Sequence, residues 1–137
     1  MEQKILDLEP ADHERLREQR AVVERYVIDE RARQRYLTAP GKIALLRALL
    51  DPIVFDANQT YELQCLGVVL GDAFVEHLDM KWVMVCDEYG RDPAVALPGS
   101  DVLLFPLTMI SKRVEAGEEV DVLALFNAIV GDVDEIG

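Results

Sequence analysis

Two histidines, two cysteines and five serine or threonine hydroxyls are the nucleophilic and general-base stock of this chain, and their spacing matches no catalytic pattern. A reactive thiol needs an imidazole beside it to hold it as thiolate. Cys65 or Cys86 would have to reach His77 across the fold, and nothing in the spacing favours that pairing. Both cysteines lie among apolar neighbours and read as small core residues. His13 falls in a polar first turn and is expected to be exposed. His77 stands near the end of a helix, where an imidazolium complements the dipole. Ser100, Ser111, Thr38, Thr60 and Thr108 sit in no G-x-S-x-G elbow and no S-x-x-K arrangement. A phosphate-cradling G-x-x-x-x-G-K-[ST] loop and an H-E-x-x-H zinc helix are absent. The cysteines form no C-x-x-C pair, which argues against a metal knuckle or redox couple and fits a reducing compartment.

Carboxylates are abundant, so their clustering needs care. Asp87, Glu88 and Asp92 crowd one turn but miss the alternating acidic pattern of a calcium loop. Asp72 and Glu76, at i,i+4, could point the same way on a helix. With 26 acidic residues such pairs arise by chance, and no aromatic substrate cluster accompanies this one. The expectation is a non-enzymatic chain with no metal and no cofactor.

The polar group that offers most is Asp87-Glu88-Tyr89-Gly90-Arg91-Asp92. At its plainest it is a solvated turn in which Gly90 supplies the unusual dihedral. Yet Tyr and Arg exposed on a rigid hairpin are the residue types that anchor protein interfaces. Lys112 and Arg113, just beyond a strand-to-helix connection, are expected nearby. The candidate binding residues are therefore Asp87, Glu88, Tyr89, Arg91, Asp92, Lys112 and Arg113.

The elements that must position them follow from periodicity. Residues 11–37 contain neither Gly nor Pro and carry Leu16, Val23, Tyr26, Val27 and Leu37 near one face, which predicts one long helix. Asp29 and Arg33 form an attractive i,i+4 pair within it. Thr38-Ala39-Pro40 caps and opens a second helix through Leu50, halted by Asp51-Pro52. A third runs from about Asn58 to Leu78, with Asp56 or Asn58 as cap. Its Gly67 and Gly71 each cost about 1 kcal/mol relative to Ala, which close backbone approach would offset. A glycine-lined ligand slot on that face is the alternative. Lys81–Asp87 then reads as a central strand, Pro93–Leu97 as its return and Asp101–Phe105 as a third, an antiparallel meander. Leu107–Ala116 forms a helix closed by Gly117, and Val122–Val130 a last one, capped by Asp121, ended by Gly131 and followed by a frayed tail.

These elements sum to an α+β fold: three N-terminal helices, a three-stranded antiparallel meander and two C-terminal helices. A single domain over 1–137 is expected, with the 11–37 helix packed on a body spanning 38–131. At 137 residues such a chain can bury a sizeable core. No apolar run reaches the length of a bilayer span and MEQKILDLEP has no signal-peptide character, so a cytoplasmic location is expected.

The formal charge is −12, and its distribution is uneven. Residues 1–36 hold 8 basic and 9 acidic side chains, so nearly all the net charge lies on the body. That disfavours nucleic acid and anionic membranes, and favours a basic partner.

The run Leu66-Gly67, Trp82, Asp87-Glu88-Tyr89-Gly90, Leu97-Pro98-Gly99, Phe105-Pro106, Ile110-Ser111-Lys112-Arg113 and Gly117-Glu118 resembles an uncharacterised family of small bacterial domains of unknown function. The resemblance covers about residues 66–119 and leaves the N-terminal helices outside. It implies a bacterial source and a compact α+β domain, and carries no activity with it.

Three functional expectations follow. The first is an acidic, non-enzymatic protein-binding module, for example an immunity-type protein that neutralises a basic toxin. The second is an enzyme or small-molecule-binding domain with its pocket at the Gly67/Gly71 face. The third is a homodimeric scaffold joined through the N-terminal helix.

Overall fold

An apolar helix must be surrounded, and helix α4 (Thr60–Leu78) is. Leu63, Leu66, Val69, Leu70, Ala73 and Phe74 along it are all fully buried. The computed structural model, which describes residues 3–50 and 55–136, packs four other helices and a strand around it: α1 (Pro10–Glu24), α3 (Ala39–Leu50), α5 (Leu107–Glu115), α6 (Val122–Ile136) and β3 (Gly90–Ala96). The short helix α2 (Glu30–Tyr36) leans on α3 instead.

Gly67 and Gly71 permit the closest of these approaches. A β-carbon on Gly67 would stand 2.5 Å from the Pro106 carbonyl oxygen and 2.6 Å from the Leu107 α-carbon. One on Gly71 would strike the Trp82 indole and lie 2.8 Å from the Pro106 ring. The glycine face is thus filled by the first turn of α5 and by Trp82. It is a close packing contact.

The sheet has four antiparallel strands in the order β1-β2-β3-β4, with β1 at Lys4–Leu6, β2 at Lys81–Asp87 and β4 at Leu103–Leu104. The expected meander of β2, β3 and β4 is present, and β2 is central. The fourth strand corrects the three-stranded expectation: Lys4, Ile5 and Leu6 pair with Cys86, Val85 and Met84. Three residues give too short a pattern to read as a strand, and only the open edge of β2 makes them one. Along β2 and β3, Trp82 pairs with Val95 and faces the helices. Val83, Val85 and Ala94 point the other way and form a second small cluster with Ala96 and Leu103, made of strand residues alone.

The single 11–37 helix is also corrected. It breaks into α1 and α2, because Asp29 accepts the Ala32 amide at 2.7 Å and caps a new helix. That use of its carboxylate replaces the expected pairing with Arg33, which instead meets Glu30 at 3.5 Å. Thr38 caps α3 as expected, its hydroxyl oxygen accepting the Gly41 amide at 3.1 Å. The Asp51-Pro52 stop lies outside the described residues. α4 starts at Thr60 without a side-chain cap; Asp56 uses its carboxylate on the Asn58 amide in a local turn, at 2.9 Å. Gly117 holds φ 78° past the end of α5, as a helix-closing glycine should.

Helix α6 is longer than its periodicity suggested. Asp121 caps it, accepting the Ala124 amide at 3.0 Å, but the helix runs through Gly131 to Ile136 because Val133 is buried. Gly131 is therefore interior, and a β-carbon there would meet nothing within 4 Å. Gly131→Ala is expected to stabilise the fold by about 0.5–1 kcal/mol, read as a higher urea midpoint at unchanged slope.

Candidate functional site

The hairpin that presents the candidate residues is tight. Asp87 pairs with Gly90 at its end, leaving Glu88 and Tyr89 as the turn, and Gly90 takes φ 135°. The Asp87 carboxylate accepts the Tyr89 amide at 2.8 Å, which stiffens the tip. Tyr89 itself is 88% exposed, the most solvent-facing of the large apolar side chains described.

Arg91 is exposed but already paired. Its guanidinium crosses from β3 to α1 and donates to both Asp12 oxygens, at 3.2 and 3.1 Å. Asp12 also accepts the Glu9 amide at 2.9 Å, closing a reciprocal capping box at the start of α1. Those donors, Arg91 first, hold the Asp12 carboxyl below the ordinary carboxylate range. A carboxyl depressed by folding stabilises the fold above its unfolded pKa, and that stability is lost as pH falls through the folded value. Arg91→Gln should therefore melt earlier than the parent at neutral pH, and the gap should close as acidification protonates the Asp12 carboxyl. Calorimetric scans of both proteins across that range check it.

The seven candidate residues separate in space. Asp87, Glu88, Tyr89, Arg91 and Asp92 share the hairpin. Lys112 and Arg113 stand on α5, where Lys112 is exposed and Arg113 folds back to donate to the Met109 carbonyl at 2.7 Å. With Arg91 neutralised by Asp12, the hairpin presents Tyr89 among the carboxylates Asp87, Glu88 and Asp92.

At the end of β2 away from the hairpin turn, Trp82 joins a charged network whose pairings the sequence did not reveal. Asp72 accepts two bonds from Arg20, at 2.5 and 2.9 Å, and one from the Trp82 indole nitrogen at 3.0 Å. Glu76, the imagined partner of Asp72, instead meets Lys42 at 3.2 Å. Lys42 also donates to the Tyr36 carbonyl at 2.9 Å and lies over its ring, 5.0 Å from the centroid. Burial pushes the Tyr36 phenol far up, so it stays neutral. The one available clue was an acid, Asp72, in the apolar middle of α4.

The thiols and imidazoles differ in exposure. Cys65 is fully buried, and that burial pushes its thiol up to about 11, leaving it protonated at neutral pH. Cys86 is partly buried. The His77 ring packs edge-on against Phe126, centroids 5.6 Å apart, and His13 is exposed. Among the described residues no group of three or more His, Cys, Asp or Glu could hold a metal ion. No described helix is long and apolar enough to cross a membrane.

Comparison with known proteins places this arrangement in a family. A crystal structure from Bacteroides thetaiotaomicron VPI-5482, at 1.50 Å resolution, has the same fold with TM-score 0.76 and 11% identity. The match covers 95% of this chain and 48% of that one, so this chain spans about half the length of its structural relative. No curated protein matches the sequence. The model of a domain of unknown function, DUF3806, matches residues 42–126, from the first turn of α3 to the second turn of α6. The match is wider than the 66–119 resemblance and takes in α3 and α4, and on it the chain belongs to the DUF3806 family.

Proposed function

We propose that this domain is a non-enzymatic binding module for a basic protein partner, and that the β2–β3 hairpin is its contact. The observation that carries the reading is Tyr89: an 88% exposed aromatic at the tip of a stiff hairpin whose strands and turn also carry acidic residues, with the nearby arginine already ion-paired. An exposed aromatic anchor with an acidic rim is the composition that a basic patch recognises. The −12 formal charge would speed encounter with such a patch. An immunity-type role, in which the partner is a basic toxin, is the most specific form of the proposal. Burial of Cys65, which keeps its thiol protonated, supports the non-enzymatic part.

A photo-crosslinking residue at position 89, compared with one at the equally exposed Ile28 position, tests this in lysate of the source organism. A single basic adduct from position 89 alone is expected. With the partner purified, Asp87→Lys and Asp92→Lys together should slow association at least about tenfold at low salt, with the difference shrinking as salt rises. Equal adducts from both positions, or association indifferent to charge reversal, would overturn the proposal.

A further inference from the structure

Away from the hairpin, the end of α1 and the start of α4 enclose a cleft of about 320 Å³. Tyr26 and Phe55 meet edge to face, with centroids 6.2 Å apart and planes at 85°. Tyr61 stands with them, and Tyr26 and Tyr61 keep 41% and 50% of their surface exposed. Three aromatic rings opening on one cleft offer faces and edges to a planar apolar group.

Two opposite charges line the same space. Arg25 comes from the end of α1 and Glu62 from the first turn of α4. The two form no ion pair with each other, although both act on the buried Cys65 thiol, Arg25 lowering and Glu62 raising its pKa. Gln59 adds an amide; its oxygen already accepts the Asp56 amide at 3.0 Å, which leaves its NH2 group to donate.

We infer that this cleft binds a free aromatic α-amino acid as its zwitterion, the carboxylate on Arg25 and Gln59, the ammonium on Glu62, and the ring among Tyr26, Phe55 and Tyr61. The charges exclude the simpler ligands. A bare carboxylic acid would satisfy Arg25 but meet Glu62 and the acidic field of the body; a bare amine would satisfy Glu62 but meet Arg25. A zwitterion satisfies both and carries no net charge against that field. The volume lies at the small end of the range for ligand pockets, about 300–1,000 Å³, which suits one amino acid and not a nucleotide. The site is separate from the hairpin, so its test stands or falls independently of the binding-module proposal.

Titration calorimetry on the full chain with L-phenylalanine, 3-phenylpropionate and phenethylamine decides it. L-Phenylalanine should bind, and each analogue lacking one charged group should bind at least about tenfold more weakly. Arg25→Gln should erase the difference between phenylalanine and phenethylamine, and Glu62→Gln that between phenylalanine and phenylpropionate. Both substitutions are at the surface of the cleft, and circular dichroism verifies that the variants fold. Absence of binding heat for L-phenylalanine, L-tyrosine and L-tryptophan at millimolar concentration would overturn the inference. So would equal affinity for the amino acid and its truncated analogues.

Discussion

Gly67→Ala should destabilise the protein by about 2 kcal/mol or more, although alanine is the better helix former by about 1 kcal/mol. The added methyl would stand 2.5 Å from the Pro106 carbonyl oxygen and 2.6 Å from the Leu107 α-carbon. Both atoms are backbone at the start of α5, so relief requires shifting the helix and not rotating a side chain. Pro106 is itself fully buried, and its ring also contacts the Gly71 position, which leaves the α5 turn little freedom to retreat. Gly131→Ala is the control: the same chemical change inside a helix, with open space around it and the opposite sign expected. Urea denaturation of the two variants side by side measures the contrast. A neutral or stabilising Gly67→Ala would mean that α5 can slide on α4, and the packing account of this face would be wrong.

Asp72→Ala should cost about 3 kcal/mol. The Asp72 side chain is 14% exposed and Arg20 27%, so removing the carboxylate strands a largely desolvated guanidinium and the Trp82 indole N–H together. Asp72→Asn, which retains a carbonyl oxygen for Trp82, should lose less. Replacing both charges, as Arg20→Met with Asp72→Leu, should recover much of the loss, because no ion is left without its partner. Trp82 is the only tryptophan in the chain, so its emission reports the site directly. A red shift in Asp72→Ala without global unfolding is expected, since the indole loses its hydrogen bond and its anchorage against Gly71. If Asp72→Ala and the double variant are equally unstable, the pair contributes packing and not charge compensation.

Much of this fold is legible in residue order because its signals are local. Thr38, Asp121 and Gly117 act at the helix ends where their chemistry places them, and the dense strand formers of Lys81–Asp87 yield the central strand. The failures share a cause. Residues 11–37 have a continuous helical pattern, but whether Asp29 serves as a mid-helix partner or as a cap is decided by where α2 must turn to meet α3. Gly131 resembles a stop until Val133 finds a buried site beyond it. Lys4–Leu6 has no strand signal of its own, and the empty edge of β2 recruits it.

The candidate hairpin divides along the same line. Composition and turn chemistry are enough to place Tyr89 and its acidic neighbours on an exposed tip, because a two-residue turn closed by glycine is a local event. That Arg91 belongs to Asp12, 79 positions away, and that Arg113 folds onto its own helix, are outcomes of tertiary packing. So are the triad of Arg20, Asp72 and Trp82, and the cleft where Arg25 and Glu62 face the same space. Sequence by itself determined the α+β class, the acidic charge and the helix and strand ends written in capping and turn residues. The tertiary structure alone decided which charges are neutralised, since a side chain's partner depends on which helices and strands the core brings together and not on its neighbours in the chain.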